Sequence, residues 1–387
     1  MSYLLEDYIK TEISIEIKKR KGILLNKDDI SKVLKEENYN VEHINFQNNS
    51  INGVTNKNKD KFFFKILNKQ EFTNEINGYL KIKDRLPVNK IKDIFEFESY
   101  YTIIFEYEKT IGKNKGLLND FFVRNDFTIE HNAYETINMV ITLYEKIFED
   151  TTIKEEYPMQ QFFDNRIDSR LTKWYNDEEL FNYEVTINGI ECKRTEEIIE
   201  ECVKFFNAKH KFKCSLTQGD PNTLNIGIKP ILFDFATSGY NPIICEFSAI
   251  FWSVLIADSY FCPKYHPKSY YNHENALKNI EDFTPNLTYE INHVKRKIKI
   301  QSDIKTSRIR IKFMQEYIKM LEKLHIKISK EIIYFLTMRI LCIFDIRTME
   351  KRDYFYSIFI LHYLYETISN NTYDTLKKTI NCFKLIK

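Results

Sequence analysis

The segment QGDPNTLNIGIKPILFDF, residues 218–235, contains two aspartates and an asparagine placed before, between and after short apolar runs. Asp220 follows a glycine, Asn225 comes five residues later, and Asp234 ends an apolar stretch. Phosphoryl transfer from a nucleotide needs a base for the incoming hydroxyl and Mg²⁺ to neutralise phosphate charge. Mg²⁺ prefers carboxylate, amide and water oxygens as ligands. The three side chains could therefore supply a base, Asp220, and two metal ligands, Asn225 and Asp234.

The same residues also fit a turn followed by a strand. Asp-Pro-Asn is favourable turn chemistry, and an Asp within Phe-Asp-Phe often accepts backbone hydrogen bonds. LNIGI and PILFDF are predicted to be two brief strands of one hairpin, which would bring Asn225 and Asp234 to the same end. The segment alone leaves a structural turn and a catalytic loop open, so the surrounding elements matter.

A cation for the nucleotide phosphates is predicted upstream. Lys65 is the charged residue of FFFKIL, a strand that is otherwise apolar; taken alone, a lysine on an edge strand is the plainer interpretation. Glu75, ten residues later, lies in a predicted helix and could hold the lysine ammonium in place. Glu71 is the alternative partner, although its position in the first helical turn suits an interaction with the helix dipole.

The strand YYTIIFEYE ends the region of strands, and the chain then enters a short connector. An adenine ring could hydrogen-bond to main-chain groups at such a position. The candidates are the backbone of Glu106 and Tyr107, with Ile103 or Ile104 packing on the base. An ordinary buried strand is the alternative interpretation.

Hydrophobic periodicity predicts the elements that position these residues. VEHINFQ, NGVTN, KFFFKIL, IKDIFEFE and YYTIIFEYE are typical of strands, and EFTNEINGYLKIKDRL has a helical period. Residues 40–107 should thus form a small antiparallel β unit with one inserted helix. A short helix is predicted at residues 27–36, and a hairpin at YEVTINGIECK interrupts the mostly helical pattern after residue 116.

The predicted architecture is α+β and bilobal. Residues 1–107 would form the small antiparallel β nucleotide-binding lobe with its helix, residues 108–113 a hinge, and residues 114–387 a larger, mainly helical lobe for catalysis and acceptor binding.

These segments resemble the aminoglycoside phosphotransferase and choline kinase superfamily, which shares the protein-kinase-like fold. QGDPNTLN and ILFDF are similar to the family's H-G-D-x-x-x-x-N stretch and to its apolar strand ending in D-[FW]. GYNPIICEFSAIFW is similar to the helix that follows, with Glu246 where an Asp is usual. KFFFKIL, NEINGYL and LPVNKI resemble the phosphate-lysine strand, the glutamate helix and the start of the next strand. The resemblance covers residues 28–255.

The resemblance implies an ATP-dependent phosphotransferase that uses ATP and Mg²⁺ and has a hydroxyl group as acceptor. It assigns the base to Asp220, the Mg²⁺ ligands to Asn225 and Asp234, the phosphate contact to Lys65 and its partner to Glu75. Gln218 replaces the usual His, and a Gln amide can also hydrogen-bond to backbone. The nucleotide-covering stretch QNNSINGVTN holds one glycine, Gly53.

Composition narrows the class of protein. The chain has 387 residues, of which 43% are hydrophobic and 29% charged, as expected of a folded soluble protein. Seven cysteines without a CxxC pair, and no secretory pattern in MSYLLEDYIKTE, favour the cytoplasm. IICEFSAIFWSVLIA is predicted to be a buried helix rather than a membrane span. Cys262, His266 and His273 match no standard zinc spacing.

The distribution of charged residues along the chain gives indications about the acceptor and about binding partners. Residues 241–387 carry 23 Lys/Arg and 15 Asp/Glu, which favours a neutral or anionic small-molecule hydroxyl acceptor over a polycationic one. The basic stretch 291–330 is interpreted as a solvated helix with Ile291, Val294 and Ile298 on one face; a surface for an anionic partner is the alternative. A protein or peptide kinase and a nucleotide-binding pseudokinase remain open, and nucleic-acid binding is predicted to be absent.

Overall fold

The computed structural model describes residues 2–20, 26–46, 51–97, 100–107, 116–156, 163, 166–270, 273–368 and 372–386. The predicted hinge, residues 108–113, lies outside the described residues. So do residues 47–50 of the predicted nucleotide-covering stretch.

The N-terminal region is built on a six-stranded sheet with the strand order β1-β5-β6-β4-β3-β2. The strands are β1 Ile17–Arg20, β2 Asn40–Phe46, β3 Ile51–Lys57, β4 Asp60–Asn68, β5 Ile91–Phe97 and β6 Tyr100–Glu106. β2 to β6 pair antiparallel with their neighbours, and these are the five strands that the sequence predicts. β1 was not predicted; it adds a parallel strand at the β5 edge.

Helices cover both faces of this sheet. The helices of the region are α1 Ser2–Ile13, α2 Lys27–Glu36 and α3 Lys69–Ile82. α2 packs Ile30 and Leu34 into one cluster with Phe64 and Ile104, whereas α3 belongs to the large cluster on the opposite face. Because side chains alternate along a strand, β4 sends Phe64 to the α2 face and Lys65 to the α3 face.

The start of α3 decides between the two candidate partners of Lys65. Asn68 caps the helix by accepting a hydrogen bond from Glu71 N, and the Glu71 side chain in turn accepts one from Asn68 N, each at 3.0 Å. This reciprocal capping box satisfies two backbone donors that the first helical turn would otherwise leave unpaired. Glu71 is thereby committed to the cap, and Glu75, one turn further and buried, is left for the lysine.

The C-terminal region is mainly helical, as predicted. Its helices are α4 Leu118–Asn125, α5 Ala133–Thr151, the π-helical turn α6 Ile167–Thr172, α7 Thr195–Asn207, α8 Ile243–Tyr265, α9 Glu274–Lys278, α10 Ile280–Phe283, α11 Arg308–Lys323, α12 Ile332–Cys342, α13 Lys351–Thr367 and α14 Thr372–Asn381. A short helical turn, Lys173–Tyr175, continues α6, and single 3₁₀ turns lie at Glu179–Asn182, Pro267–Tyr270 and Ile346–Thr348. α8 and α12 pack against each other.

Small sheets connect these helices. Their strands are β7 Ile153–Glu156, β8 Glu184–Ile187, β9 Ile190–Cys192, β10 Lys211–Thr217, β11 Ile226–Gly227, β12 Ile231–Leu232, β13 Gly239–Pro242, β14 Thr288–Asn292, β15 Lys297–Gln301, β16 Lys305–Thr306 and β17 Lys384–Leu385. β8 and β9 form the predicted hairpin and join β14 and β15 in one four-stranded sheet.

The prediction of a helix around residues 291–299 is wrong. Residues 288–301 form the hairpin β14–β15, in which Ile291 lies opposite Ile298, and Val294 is 96% exposed in the turn. Along β15, Ile298 and Ile300 are buried and alternate with exposed Lys297, Lys299 and Gln301, which is a period of two. Ile291, Val294 and Ile298 are three and four residues apart, as on a helix, only because the turn between β14 and β15 interrupts the alternation of the strands.

One helix among the described residues, Ile243–Tyr265, is long and apolar enough to cross a membrane. Its most apolar window is entirely buried inside the protein, as the sequence analysis predicts for this segment. The buried face of the helix carries two carboxyl side chains, Glu246 and Asp258, that contact the segment around Asp220.

Candidate active site

The hairpin β11–β12 holds Asn225 and Asp234 at one end, as predicted. Asn225 precedes β11 and Asp234 follows β12, and Phe233 N donates to the backbone oxygen of Asn225 at 3.0 Å. Gln218 fixes the same end from the preceding loop, because its Nε2 donates to Phe233 O at 2.9 Å and also to Asp234 O.

The backbone of Asp234 has a left-handed conformation, with φ at 63°. Residues other than glycine adopt this region at an energetic cost and do so where the surroundings impose it. The Asp234 carboxylate leaves the hairpin toward the sheet of the N-terminal region and meets Lys65, whose Nζ lies 2.9 Å from Asp234 Oδ1. The side chain of Asp234 remains 49% exposed, so it is accessible to a ligand.

Lys65 joins three elements in one ion-pair cluster. Its Nζ lies 2.7 Å from Glu75 Oε1 on α3 and 2.9 Å from Asp234 Oδ1 after β12. Burial acts to lower the pKa of Lys65, but Asp234 and Glu75 outweigh burial and raise it, so the ammonium stays charged. The Lys65 ammonium in turn lowers the pKa of Asp234. The cluster therefore presents a permanent cation beside an ionised carboxylate.

Asp220 lies in a loop whose shape depends on glycine. Gly219 has φ at 90°, and a Cβ there would lie 2.8 Å from Asn241 Nδ2 and overlap the backbone oxygen of Thr237. Asp220 N donates to Gln218 Oε1 at 2.8 Å, so Gln218 ties this loop to the hairpin. The Asp220 carboxylate is 42% exposed, and its Oδ1 lies 3.0 Å from Arg339 Nη1.

Asn225, a predicted metal ligand, is oriented by a hydrogen bond to the backbone of Asp220. Its Nδ2 donates to Asp220 O at 3.0 Å, which leaves the amide oxygen as the atom available to a cation. That oxygen and the half-exposed carboxylate of Asp234 are hard ligands of the kind that Mg²⁺ takes beside phosphate and water oxygens. The described residues contain no cluster of three or more His, Cys, Asp or Glu side chains that could hold a metal. The donor set fits Mg²⁺ bound together with a phosphate-bearing ligand.

Two buried carboxyl groups of α8 support the loop from beneath. Glu246 Oε2 accepts a hydrogen bond from Thr217 Oγ1 at 2.9 Å, and burial raises the pKa of Glu246 to about 8. Asp258 Oδ2 accepts from Thr223 N at 2.9 Å and from Thr223 Oγ1 at 2.6 Å, and burial raises its pKa as well. Thr223 stands between Asp220 and Asn225, so both flanks of the loop are anchored to one helix.

The two isoleucines predicted to pack on an adenine ring lie on opposite faces of the sheet. Ile104 pairs with Phe64 and packs on the α2 face of the sheet, so it does not share a face with Lys65; Ile103, which pairs with Lys65, does. The N–H of Glu106 donates to Lys90 O at 2.8 Å and that of Tyr107 to Lys61 O at 3.4 Å. Both amides are thus used within the fold, and the carbonyl groups are what these two residues could offer to a base.

Arg339 is the residue at this site that the sequence analysis missed. It lies 119 residues after Asp220 and is the one charged residue of α12, IIYFLTMRILC. A lone arginine in an otherwise apolar helix is itself a signal, because a charge buried there requires a partner. The sequence did not indicate which carboxylate that partner would be.

Comparisons with known proteins give distant structural likenesses. No protein-family model and no curated protein sequence matches the chain. A microcompartment-associated aminopropanol kinase has a TM-score of 0.41 at 9% identity, over 92% of this chain and 94% of that one. Spectinomycin phosphotransferase APH(9)-Ia, in complex with ADP and spectinomycin, has a TM-score of 0.38 at 9% identity, over 93% and 100%.

A third likeness is to a thermostable mutant of aminoglycoside phosphotransferase APH(4)-Ia in a ternary complex with AMP-PNP and hygromycin B. It has a TM-score of 0.42 at 11% identity, over 66% of this chain and 88% of that one. Likenesses of this size carry no argument about activity, which must come from the residues themselves. The described residues form the predicted α+β arrangement, a β-sheet N-terminal region followed by a helical C-terminal region, and Lys65, Glu75 and Asp234 meet where the two regions contact.

Proposed function

We propose that the chain is an ATP-dependent phosphotransferase that moves the γ-phosphate to a hydroxyl group of a small molecule. The observation that carries the proposal is the contact of Lys65 with both Glu75, ten residues away, and Asp234, 169 residues away. An isolated surface lysine would not be held by two carboxylates from different elements. A lysine that binds phosphate needs such a fixed position next to a metal-binding carboxylate.

Each side chain has a distinct task in this proposal. Asp234 and the amide oxygen of Asn225 would hold Mg²⁺, which when bound would neutralise charge on the transferring phosphate. Lys65 would bind phosphate oxygens, and Glu75, which is 3% exposed, would keep its ammonium in place. Oδ2 of Asp220 would accept the proton of the acceptor hydroxyl, because Oδ1 is held by Arg339. Asn222 Nδ2, at 3.4 Å from Oδ2, makes at most a weak contact there.

The acceptor is proposed to be a neutral or anionic compound rather than a polycation. The excess of Lys and Arg in residues 241–387 favours this, and so does the guanidinium of Arg339 next to Asp220.

The test is a transfer assay with ATP labelled at the terminal phosphate and a metabolite extract stripped of macromolecules. We expect label on a small molecule, and we expect Asp220→Asn to lower turnover by about 10²–10⁴-fold with nucleotide affinity nearly unchanged. Asp282→Asn, which alters an exposed carboxylate of the same region, is the matched control. Equal turnover in Asp220→Asn would remove Asp220 from the role of base. Label on a polypeptide would favour a protein kinase, and nucleotide binding without any transfer would favour a pseudokinase.

A further inference from the structure

Arg339 stands out among the buried charges of the C-terminal region because its partner is the proposed base. Its side chain is 9% exposed, and its Nη1 lies 3.0 Å from Asp220 Oδ1. The thiol of Cys245, on α8, also lies beside the guanidinium. Arg339 Nε is buried without a hydrogen-bond partner among the described residues. The charge of Arg339 is thus compensated mainly by one carboxylate that the reaction itself would use.

One further carboxyl group lies beside the pair of Asp220 and Arg339. Glu246, the other carboxyl group that faces Asp220 and Arg339, has its pKa raised to about 8 by burial and keeps its proton at neutral pH. Arg170, on α6, donates from its Nη1 to the carbonyl oxygen of Cys342 at the end of α12, at 2.6 Å. Asp220 is therefore the one carboxylate that forms an ion pair with Arg339 among the described residues.

The geometry at Asp220 determines where an acceptor meets this charge. Arg339 occupies Oδ1, so the acceptor hydroxyl has to approach Oδ2 of the same carboxylate. A hydroxyl donates to a carboxylate oxygen at about 2.7 Å. Substituents one or two carbon atoms from that hydroxyl can then reach the guanidinium within the screening length of about 8 Å at physiological salt, so salt screens their mutual interaction only in part.

We propose that Arg339 determines acceptor specificity, and that the natural acceptor carries a carboxylate or phosphate group close to the hydroxyl that is phosphorylated. An ammonium group at the same place is disfavoured, because it would be repelled by the guanidinium. This inference rests on the proposed phosphotransferase function and narrows its acceptor to one charge class.

The experiment separates the extract by charge before the assay. An extract without macromolecules is divided by ion exchange into anionic, neutral and cationic fractions, and each is incubated with the full chain, Mg²⁺ and labelled ATP. We expect Asp220-dependent transfer from the anionic fraction. Transfer that depends on Asp220 but comes from the neutral or cationic fraction would overturn the inference and leave the proposed function standing. No Asp220-dependent transfer from any fraction would overturn both.

Variants at Arg339 test its part in that preference. Arg339→Met should lower kcat/KM for the anionic acceptor about tenfold or more, mostly through KM, since a charge-assisted contact is lost. Arg339→Lys should recover part of the loss because it restores the charge. Arg347→Met, which removes a half-exposed arginine paired with Asp345 nearby, is the matched control. Unfolding temperature and Mg·ATP affinity are measured for each variant, and Arg339→Lys tests the charge if Arg339→Met does not fold.

A merely structural arginine would give a different pattern. Arg339→Met would then lower the unfolding temperature and kcat for every acceptor alike, and Arg339→Lys would not restore the preference for anionic compounds. Unchanged KM for the anionic acceptor in a folded Arg339→Met would overturn the assignment.

Discussion

Replacing Glu246 by Gln should make the stability of the protein less dependent on pH. Glu246 is 1% exposed, on the first turn of α8, and its Oε2 accepts a hydrogen bond from Thr217 at 2.9 Å. Burial raises its pKa from 4.5 to about 8, against the opposing effects of Thr217 and Arg339. Gln has nearly the same shape as the protonated side chain and cannot ionise, so it isolates the contribution of the charge.

Proton linkage determines whether the free energy of unfolding rises or falls with pH. Between pH 4.5 and pH 8 the native state keeps the Glu246 proton and the unfolded state releases it. The native state therefore binds more protons in this window, and the free energy of unfolding of the wild type falls as pH rises through it. One pKa unit corresponds to about 1.4 kcal/mol, so the full shift is worth about 5 kcal/mol. About 3 kcal/mol of this falls between pH 5.5 and pH 8.5, where both proteins can be measured.

Urea unfolding of the wild type and Glu246→Gln at several pH values tests the prediction. Trp174 and Trp252 are the two tryptophans of the chain and both lie in the C-terminal region, so their fluorescence reports the part that contains Glu246. Coincidence with circular dichroism checks that the transition is two-state. We expect the stability of the wild type relative to Glu246→Gln to fall by about 3 kcal/mol from pH 5.5 to 8.5.

The matched control is Glu274→Gln, which changes a carboxylate whose side chain is 75% exposed. Its pH profile should run parallel to that of the wild type. Parallel profiles for the wild type and Glu246→Gln would refute the reasoning, because they would mean that Glu246 titrates in the same range in the folded and unfolded chain.

Three further predictions concern the site and its support. Asp234→Ala should weaken binding of Mg·ATP measured by calorimetry, because it removes the exposed carboxylate beside Lys65; an unchanged Mg²⁺ requirement would contradict the metal assignment. Gly78→Ala should cost about 1–3 kcal/mol in urea unfolding, because a Cβ there would overlap the carbonyl oxygen of Phe235. Arg310→Met should cost about 3–5 kcal/mol, because it leaves Asp126, whose side chain is fully buried, without its ion pair; a loss below about 1 kcal/mol would mean that the pair contributes little.

The sequence predicted best those parts of the fold where one period continues without interruption. α2 was predicted from the acidic residues of its first turn at its observed bounds, Lys27–Glu36, where the structure also shows an Asn cap and buried apolar residues. The strand pattern of residues 40–107 was also correct. β1 was missed because four residues with two lysines and an arginine, IKKR, do not look apolar. The hairpin at 288–301 was misread because two short strands and their turn happen to space isoleucines and a valine like one helical face.

In the candidate site, the residues close together in sequence were predictable, and those brought together by packing were not. Asp220, Asn225 and Asp234 lie within fifteen residues, so their spacing could be interpreted directly, and Glu75 is close enough to Lys65 for helix geometry to select it over Glu71. The contact of Arg339 with Asp220 could not be predicted from the sequence, because it depends on how α12 packs against α8. Ile103 and Ile104 could not be separated either, since the face that each presents depends on the register between β4 and β6.

Gln218 shows why the departure from the usual His does not by itself imply a broken site. A neutral imidazole offers one donor and one acceptor, whereas a Gln amide offers two donors and an acceptor oxygen. Here the oxygen accepts from Asp220 N at 2.8 Å, while the nitrogen donates to Phe233 O at 2.9 Å and to Asp234 O. One side chain thus fixes the backbone of the proposed base and that of the proposed metal ligand relative to each other. Because its role is to hold backbone rather than to move a proton, the chemistry proposed for Asp220 and Asp234 does not require an imidazole at this position.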